Sequence, residues 1–309
     1  MEGVSICITA YDAQDYIKEC LDSVVNQSWF KTHNNWEIIV GVDGCEKTLN
    51  YLKDIMHLYK NLRVFMMDSN KGTYITSNTI ISNATYEHIF RFDSDDIMCS
   101  NLVETVLTKK SNCQYIRYYL RNFGNDTSSG VAWGPIYISK TLFTKYGGYK
   151  PWPCGADSDL YYRLKNNETI KTIRDVLMLR RVHSTSLTQS KETGMKSELR
   201  KKYASMIKKD CPQSEAIIDC VKNTYKEVFS SLDGPVNKDE YMKNVKETYD
   251  TCKNTSTLNS SKEIVTQVKS PEIRLNKKAA AIKKLREDIN AGKIIQVPTI
   301  NGFIWKRVK

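Results

Sequence analysis

Asp93-Ser94-Asp95-Asp96 places three carboxylates within four residues, at the end of an apolar, aromatic run containing Tyr86, Ile89, Phe90 and Phe92. Carboxylates this close repel one another, and burying even one without a partner is costly. A divalent cation backed by phosphate relieves both problems. Mg²⁺ or Mn²⁺ takes one or two protein carboxylates and leaves its other positions to phosphate oxygens. The plainer alternative is an acidic turn that caps the next helix. A second acidic pair, Asp157 and Asp159, follows the stiff loop Pro151-Trp152-Pro153-Cys154-Gly155, in which Trp152 is a candidate for exposure. There too a carboxylate in the first turn of a helix is a good cap and dipole partner. His183 follows an apolar and basic run over 176–182, where it is either a polar loop residue or a metal ligand.

The elements that must position these groups alternate along the chain. Residues 4–9, 36–42 and 62–67 read as short strands buried on both faces. Helical spacing separates them: Tyr16, Ile17, Cys20, Leu21, Val24 and Val25 after an N-cap candidate at Asp12, then Leu49, Leu52, Ile55, Met56 and Tyr59 over 47–59. A turn at Asn70-Lys71-Gly72 and a helix over 73–83 lead into the strand that ends at Asp93. This alternation builds a parallel sheet with helices on both faces, whose ligand lies at the carboxyl ends of the strands. Thr9-Ala10-Tyr11-Asp12, Asp43-Gly44 and Asp93-Ser94-Asp95-Asp96 are therefore expected to converge on one crevice. Beyond them, 114–120 and 131–138 read as strands around a Gly/Ser/Asn loop, and 139–146 as a helix stopped by Gly147-Gly148.

The 309 residues are 40% hydrophobic and 10% aromatic, enough for a sizeable core in one large or two smaller domains. No apolar run approaches the roughly 20 residues that span a bilayer. Met1-Glu2-Gly3 leads straight into a strand, without the basic segment of a secretory signal. Nine cysteines without C-x-x-C spacing argue against a disulfide framework or zinc site and for a reducing compartment. The expected location is cytoplasmic, with room for a peripheral membrane contact. The formal charge of +11 belongs almost wholly to the C-terminal third, where 25 Lys+Arg face 15 Asp+Glu from Lys191 onward. That shift divides the chain into 1–190 and a basic region, 191–309. In the latter, helices are expected over 195–209, 214–229, 238–252 and 279–291, with a linker over 254–261 and a strand or extended tail over 294–305.

In this order the motifs over 1–190 resemble those of family-2 inverting glycosyltransferases of the GT-A fold. The runs that carry the resemblance are Thr9-Ala10-Tyr11-Asp12, Ser23-Val24-Val25-Asn26-Gln27-Ser28, Val42-Asp43-Gly44-Cys45, Asn70-Lys71-Gly72 and Asp93 to Asp96. Gly147-Gly148-Tyr149, Asp157-Ser158-Asp159-Leu160-Tyr161-Tyr162-Arg163-Leu164 and Arg181-Val182-His183-Ser184-Thr185-Ser186-Leu187-Thr188 complete the series. The resemblance implies an α/β fold: a GT-A, Rossmann-like, mostly parallel sheet flanked by helices, followed by a mainly helical C-terminal region. It implies that Thr9, Tyr11 and Asp43 hold the nucleotide base, with Lys71 and Ser94 also on the donor. Asp93 would serve the ribose or the metal, Asp95 the metal that bridges the diphosphate, and His183 would sit beside both. Asp157 would be the general base. The implied donor is a nucleotide sugar, a UDP-sugar first, with Mn²⁺ or Mg²⁺ as cofactor and a glycan, lipid-linked or protein hydroxyl as acceptor. Three departures stand out: Ala156 where an acidic neighbour of the base is usual, Asp43 alone where a pair is common, and Asp12 in place of Asn.

Two other classes compete. A metal-dependent nucleotidyltransferase also joins a parallel sheet to acidic strand ends, but residues 10–14 contain neither the Gly nor the basic residue that grips a triphosphate. A nucleic-acid or anionic-membrane binder would use the basic third, whose densest patch is Lys277, Lys278, Lys283, Lys284 and Arg286. The charges there are scattered among acids, which fits a solvated helical face and disfavours nucleic acid.

Overall fold

The apolar runs pair side by side. In the computed structural model, which describes residues 3–124, 127–209, 225–231, 294–299 and 302–307, Val4–Ala10 (β1) lies between Trp36–Val42 (β2) and His88–Asp93 (β4) and parallel to both. Leu62–Met67 (β3) continues the parallel order along β2. Ile6, Ile8, Ile38, Val40 and Val64 enter one core, whereas Cys7, Ile39 and Phe65 enter another. Such alternation on fully buried strands marks a sheet covered on both faces. Ile17–Val25 (α1) and Glu46–Ile55 (α2) bury Leu21, Val24, Leu49 and Leu52 in the first core. Thr73–Ser82 (α3) buries Ile80 and Ile81 in the second. Close approach of α3 to β2 requires Gly41, since a Cβ there would stand 2.7 Å from Thr76 Cγ2.

The chain then crosses to the other half of the sheet. Ile97–Met98 (β5), Leu102–Lys109 (α4), Tyr115–Gly124 (β6), Ser129–Val131 (β7), Ile136–Ser139 (β8), Lys140–Lys145 (α5), Ala156–Leu164 (α6) and Ile170–Val182 (β9) follow in order. Glu198–Lys209 (α7) and Tyr225–Ser230 (β10) close the described part of this unit. Across the sheet the order is β10-β3-β2-β1-β4-β8-β6-β9-β5, with β7 on β6. Antiparallel pairing enters at β4–β8, β6–β8 and β5–β9, and β6–β9 is parallel again. The sheet is thus mixed, with the parallel β3-β2-β1-β4 block at its centre.

Four expectations change. The stretch 131–138 is two strands, interrupted before Ile136. Asp12 does not cap α1, which begins only at Ile17; it occupies a left-handed turn (φ 49°) and pairs with Lys47 at 3.3 Å. The described end of the helix expected over 214–229 is instead β10, antiparallel to β3. Tyr225, Val228 and Phe229 suit either state by composition, and the otherwise open backbone of β3 selects the strand. The tail over 294–305 is a hairpin of Ile294–Thr299 (β11) and Gly302–Arg307 (β12), in a second compact unit, Ser260–Lys309. The helix over 195–209 forms as α7, three residues shorter at its start. Residues 214–224, the helices over 238–252 and 279–291, the linker over 254–261 and the patch from Lys277 to Arg286 lie outside the described residues.

Candidate active site

Strand register brings the polar ends level. Thr9 of β1 stands opposite Gly41 of β2 and Asp93 of β4, so the three expected strand ends share one edge. Just past β2, Asp43 is buried, and its two oxygens accept from the backbone N–H of Lys71 at 2.7 Å and of Gly72 at 2.9 Å. Burial pushes the Asp43 pKa up, and these two N–H groups pull against that rise. The carboxylate expected to meet a base therefore first locks the Asn70-Lys71-Gly72 turn. Lys71 itself turns its ammonium to Asp68 at 3.0 Å. Tyr11, by contrast, is 57% exposed at the same edge.

The locked turn launches α3, whose first two residues reach different partners. Thr73 Oγ1 accepts from Arg91 Nη2 at 2.8 Å and lies 3.0 Å from Thr9 Oγ1. Tyr74 O–H donates to Asp157 Oδ1 at 3.1 Å, and Gly155 N–H donates to the Tyr74 oxygen at 3.2 Å. Neither Thr73 nor Tyr74 has a sequence signal beyond following the turn.

Arg91 is the largest omission from the sequence reasoning. It is buried within β4, pairs with Asp93 through Nη1 at 2.6 Å, and also donates to Thr9 Oγ1 at 3.3 Å. Burial works to lower its pKa, but Asp93, with Tyr149, Tyr74 and Asp157 around it, holds the pKa above the usual arginine value. Part of the cation demanded by the acidic run is thus supplied by the strand that carries it. The signal was legible: residues two apart on a strand share a face, and a lone Arg in an apolar run needs an acid. Gly134 is pressed onto this pair, where a Cβ would stand 2.9 Å from Arg91 Nη1 and 3.3 Å from Asp93 Oδ2.

The other carboxylates divide their labour. Asp95 keeps a part-exposed side chain, and its Oδ2 accepts from His183 Nε2 at 2.9 Å. An ionised carboxylate only accepts, so Nε2 carries the proton and Nδ1 faces Thr185 Oγ1 at 2.8 Å. Asp96 is buried and accepts from the Arg181 backbone N–H at 3.0 Å; burial, then Asp95 and Asp93, push its pKa well up. Ser94 is buried too. Arg181 Nε donates to the Asp95 carbonyl at 3.2 Å, while its guanidinium lies over the rings of Tyr16 and Phe123 and pairs with Glu19. Ser23 Oγ of α1 accepts from Met98 N–H at 3.0 Å, and Gln27, just past the end of α1, holds Cys99 O and Val103 N–H at 2.8 and 3.0 Å. These bonds explain the Ser-x-x-x-Gln spacing: the last turn of α1 and the turn that leaves it fasten the chain just after the acidic run.

Asp157 occupies the first turn of α6, which starts after Gly155 in the left-handed region at φ 82°. Its Oδ1 takes both the Tyr74 hydroxyl and the Ser158 N–H, the latter at 2.7 Å. Asp159 is fully buried and structural, held by Arg163 at 2.8 Å and Lys150 at 2.9 Å. Trp152, the expected exposed tryptophan, is half-buried against Tyr203 of α7 at 4.5 Å between ring centroids. Trp133 is exposed in its place.

Comparisons with known proteins agree with this geometry. Residues 5–149 match the family model described as Glycosyl transferase family 2. An uncharacterized glycosyltransferase of Haemophilus influenzae is 33% identical over 106 residues, 34% of this chain and 32% of that protein. The chain therefore matches about a third of that relative's length. Among solved structures, S. aureus TarS 1–349 in complex with UDP-GlcNAc superposes with a TM-score of 0.53 at 15% identity, covering 60% of each chain. Mannosyltransferase PcManGT from Pyrobaculum calidifontis, in complex with GDP-Man and Mn²⁺, gives 0.54 at 13% identity, covering 91% of this chain and 80% of that one. With its strand ends level and their acids gathered at one edge, the chain is similar over residues 5–149 to glycosyltransferase family 2, on a GT-A-like fold.

Proposed function

We propose that this protein transfers a sugar, with inversion, from a UDP-sugar to an acceptor hydroxyl, using a divalent metal and Asp157 as general base. The observation that carries the proposal is the bonded path from the Asp43-locked turn through Thr73 and Tyr74 to both Arg91–Asp93 and Asp157. One path ties the strand-end acids to a second, separate carboxylate, as a displacement with donor and base on opposite sides requires. The solved neighbours that carry UDP-GlcNAc or GDP-Man with Mn²⁺ support a nucleotide-sugar donor.

The residue types fit Mn²⁺ or Mg²⁺: Asp95 and Asp93 offer carboxylates, and His183 would join Asp95 in its other tautomer, with the proton on Nδ1 donated to Thr185 Oγ1 and Nε2 turned to the metal. Among the described residues no three His, Cys, Asp or Glu side chains are grouped so as to hold a metal ion by themselves, so a metal here would take its remaining positions from diphosphate oxygens. When bound, the metal would neutralise charge on the leaving diphosphate as a Lewis acid.

The chain's own residues do the rest. Arg91 fixes Asp93 and adds positive charge beneath the site, and Tyr11 offers an exposed ring for the base. Ser94, buried between Asp93 and Asp95, shapes the turn that meets the ribose, and Lys71 closes the donor side through its backbone. At Asp157 both bonds fall on Oδ1, so we assign Oδ2 to the acceptor proton as the hydroxyl attacks the anomeric carbon. A positioned base contributes about 10²–10⁴-fold. Asp157→Asn should lower kcat for transfer by that factor and leave the Kd for UDP with Mn²⁺ within about twofold. Loss of UDP binding alongside undiminished turnover would remove Asp157 from the role. Asp95→Asn should instead weaken the Mn²⁺ dependence of UDP binding, read by titration calorimetry, and an unchanged metal titration would refute that assignment.

A further inference from the structure

We infer that Trp133, braced by Arg117 and Tyr161, is the floor of the acceptor subsite and takes the apolar face of a pyranose ring. This rests on the donor-and-base proposal above and adds to it the acceptor's place and chemical class.

Trp133 is 40% exposed, yet it is not loose. The Arg117 guanidinium lies 4.7 Å from its ring and 4.2 Å from the ring of Tyr161, and the two rings meet edge to face at 5.3 Å and 79°. Arg117 Nη2 lies 3.5 Å from Thr172 Oγ1, and its Nε is buried without a hydrogen bond among the described residues. Cation–π and edge contacts of this kind hold a ring in place without covering it. A pre-ordered, part-exposed indole loses little freedom when a ligand lands on it.

Its neighbours put that surface beside the reacting groups. The next residue, Gly134, is the one pressed against Arg91 and Asp93. Tyr161 follows Asp157 by four residues on α6, hence on the same helical face one turn along. Trp133 therefore stands between the strand end that carries the donor acids and the helix that carries the base. A pyranose with mostly equatorial hydroxyls exposes a patch of axial C–H bonds, slightly positive, which suits the electron-rich face of an indole. Stacked there, the ring keeps its hydroxyl rim free to point toward Asp157. An acyclic polyol has no such face.

The test uses the full chain with UDP and Mn²⁺, and methyl β-D-glucopyranoside, methyl β-D-galactopyranoside and ribitol 5-phosphate as probes. Saturation-transfer NMR should mark the ring C–H protons of at least one glycoside and leave ribitol phosphate unmarked. Trp133→Ala should weaken that glycoside about tenfold, Trp133→Phe should recover most of the loss, and UDP should bind both variants as it binds the parent. Tyr162→Ala, on the neighbouring exposed ring, should change nothing. Glycoside binding that survives Trp133→Ala, or ribitol phosphate bound in its place, overturns the acceptor floor and leaves the donor proposal standing. UDP affinity that falls with Trp133→Ala moves the ring to the donor side and overturns it as well. Failure of the parent chain to bind UDP overturns both.

Discussion

Arg91 shows how a single residue redistributes the work of its neighbours. Its guanidinium is almost wholly enclosed, while the Asp93 side chain remains about one-third exposed. Removing one partner of such a pair costs more than the pair itself contributes, because the other charge is left without compensation. Arg91→Met should therefore lower stability by about 3 kcal/mol. Arg91→Lys should cost less but still measurably, since an ammonium cannot fork across Asp93, Thr73 and Thr9. Adding Asp93→Asn to Arg91→Met should restore much of the loss, because no unpaired carboxylate remains. Urea unfolding of the cycle decides it: losses that simply add would show that the two side chains are not coupled.

Among the elements, α1 matters most for a site it does not line. It fastens the chain after the acidic run through Ser23, aided by Gln27 just past its end, and Cys20 Sγ reaches the Asp93 carbonyl at 3.5 Å. Its outer side is secured by Tyr59, whose buried hydroxyl donates to Asp22 Oδ1 at 2.6 Å while Lys18 holds Oδ2 at 2.7 Å. Burial first, and then the charge and hydrogen bond of Asp22, raise the Tyr59 pKa well above its usual value. A phenol whose folded pKa exceeds its unfolded value of about 10 contributes fully below that value and loses its contribution as pH rises through the folded pKa. Tyr59→Phe should thus cost about 1–2 kcal/mol near neutral pH and show a shallower decline in alkali than the parent. Denaturation midpoints at about pH 8 and about pH 11 test both halves, and parallel pH curves would refute the linkage.

At the scale of the molecule, β10 closes the sheet beside β3 and brings a charge with it. Arg63 of β3 sits between Glu37, which is buried, and Glu227 of β10, which is more than one-third exposed. The two acids use the same arginine and should not matter equally. Arg63→Ala leaves the buried Glu37 only the neutral donors Ser5 and Thr85 and should cost about 3 kcal/mol. Glu227→Ala removes only the exposed partner and should cost about 0–1 kcal/mol. Comparable losses in chemical denaturation would mean that β10 is held by its ion pair and not by backbone pairing and the packing of Tyr225 on Phe65.

Much of this arrangement is legible in the residues themselves. Runs such as Val4–Ala10 and Trp36–Val42, apolar on both faces and separated by helix-length crossovers, admit a parallel sheet and little else. In that sheet the carboxyl ends of the central strands share an edge, so Thr9, Asp43, Asp93 and Asp95 were bound to meet. Which charge answers which was decided only by the tertiary structure. His183 reaches Asp95 across 88 residues, Tyr74 reaches Asp157 across 83, and Arg63 reaches Glu227 across 164. Local propensity and spacing act over a few residues and carry no record of such pairs. The same limit explains β10, where the open edge of β3 outweighed a helical pattern, and Trp133, whose exposure depends on an arginine and a tyrosine from two other elements. The sequence by itself determined where the acids gather, through the period and order of its strands. Long-range packing alone decided how each acid is held, because the partners are set by contacts between distant segments.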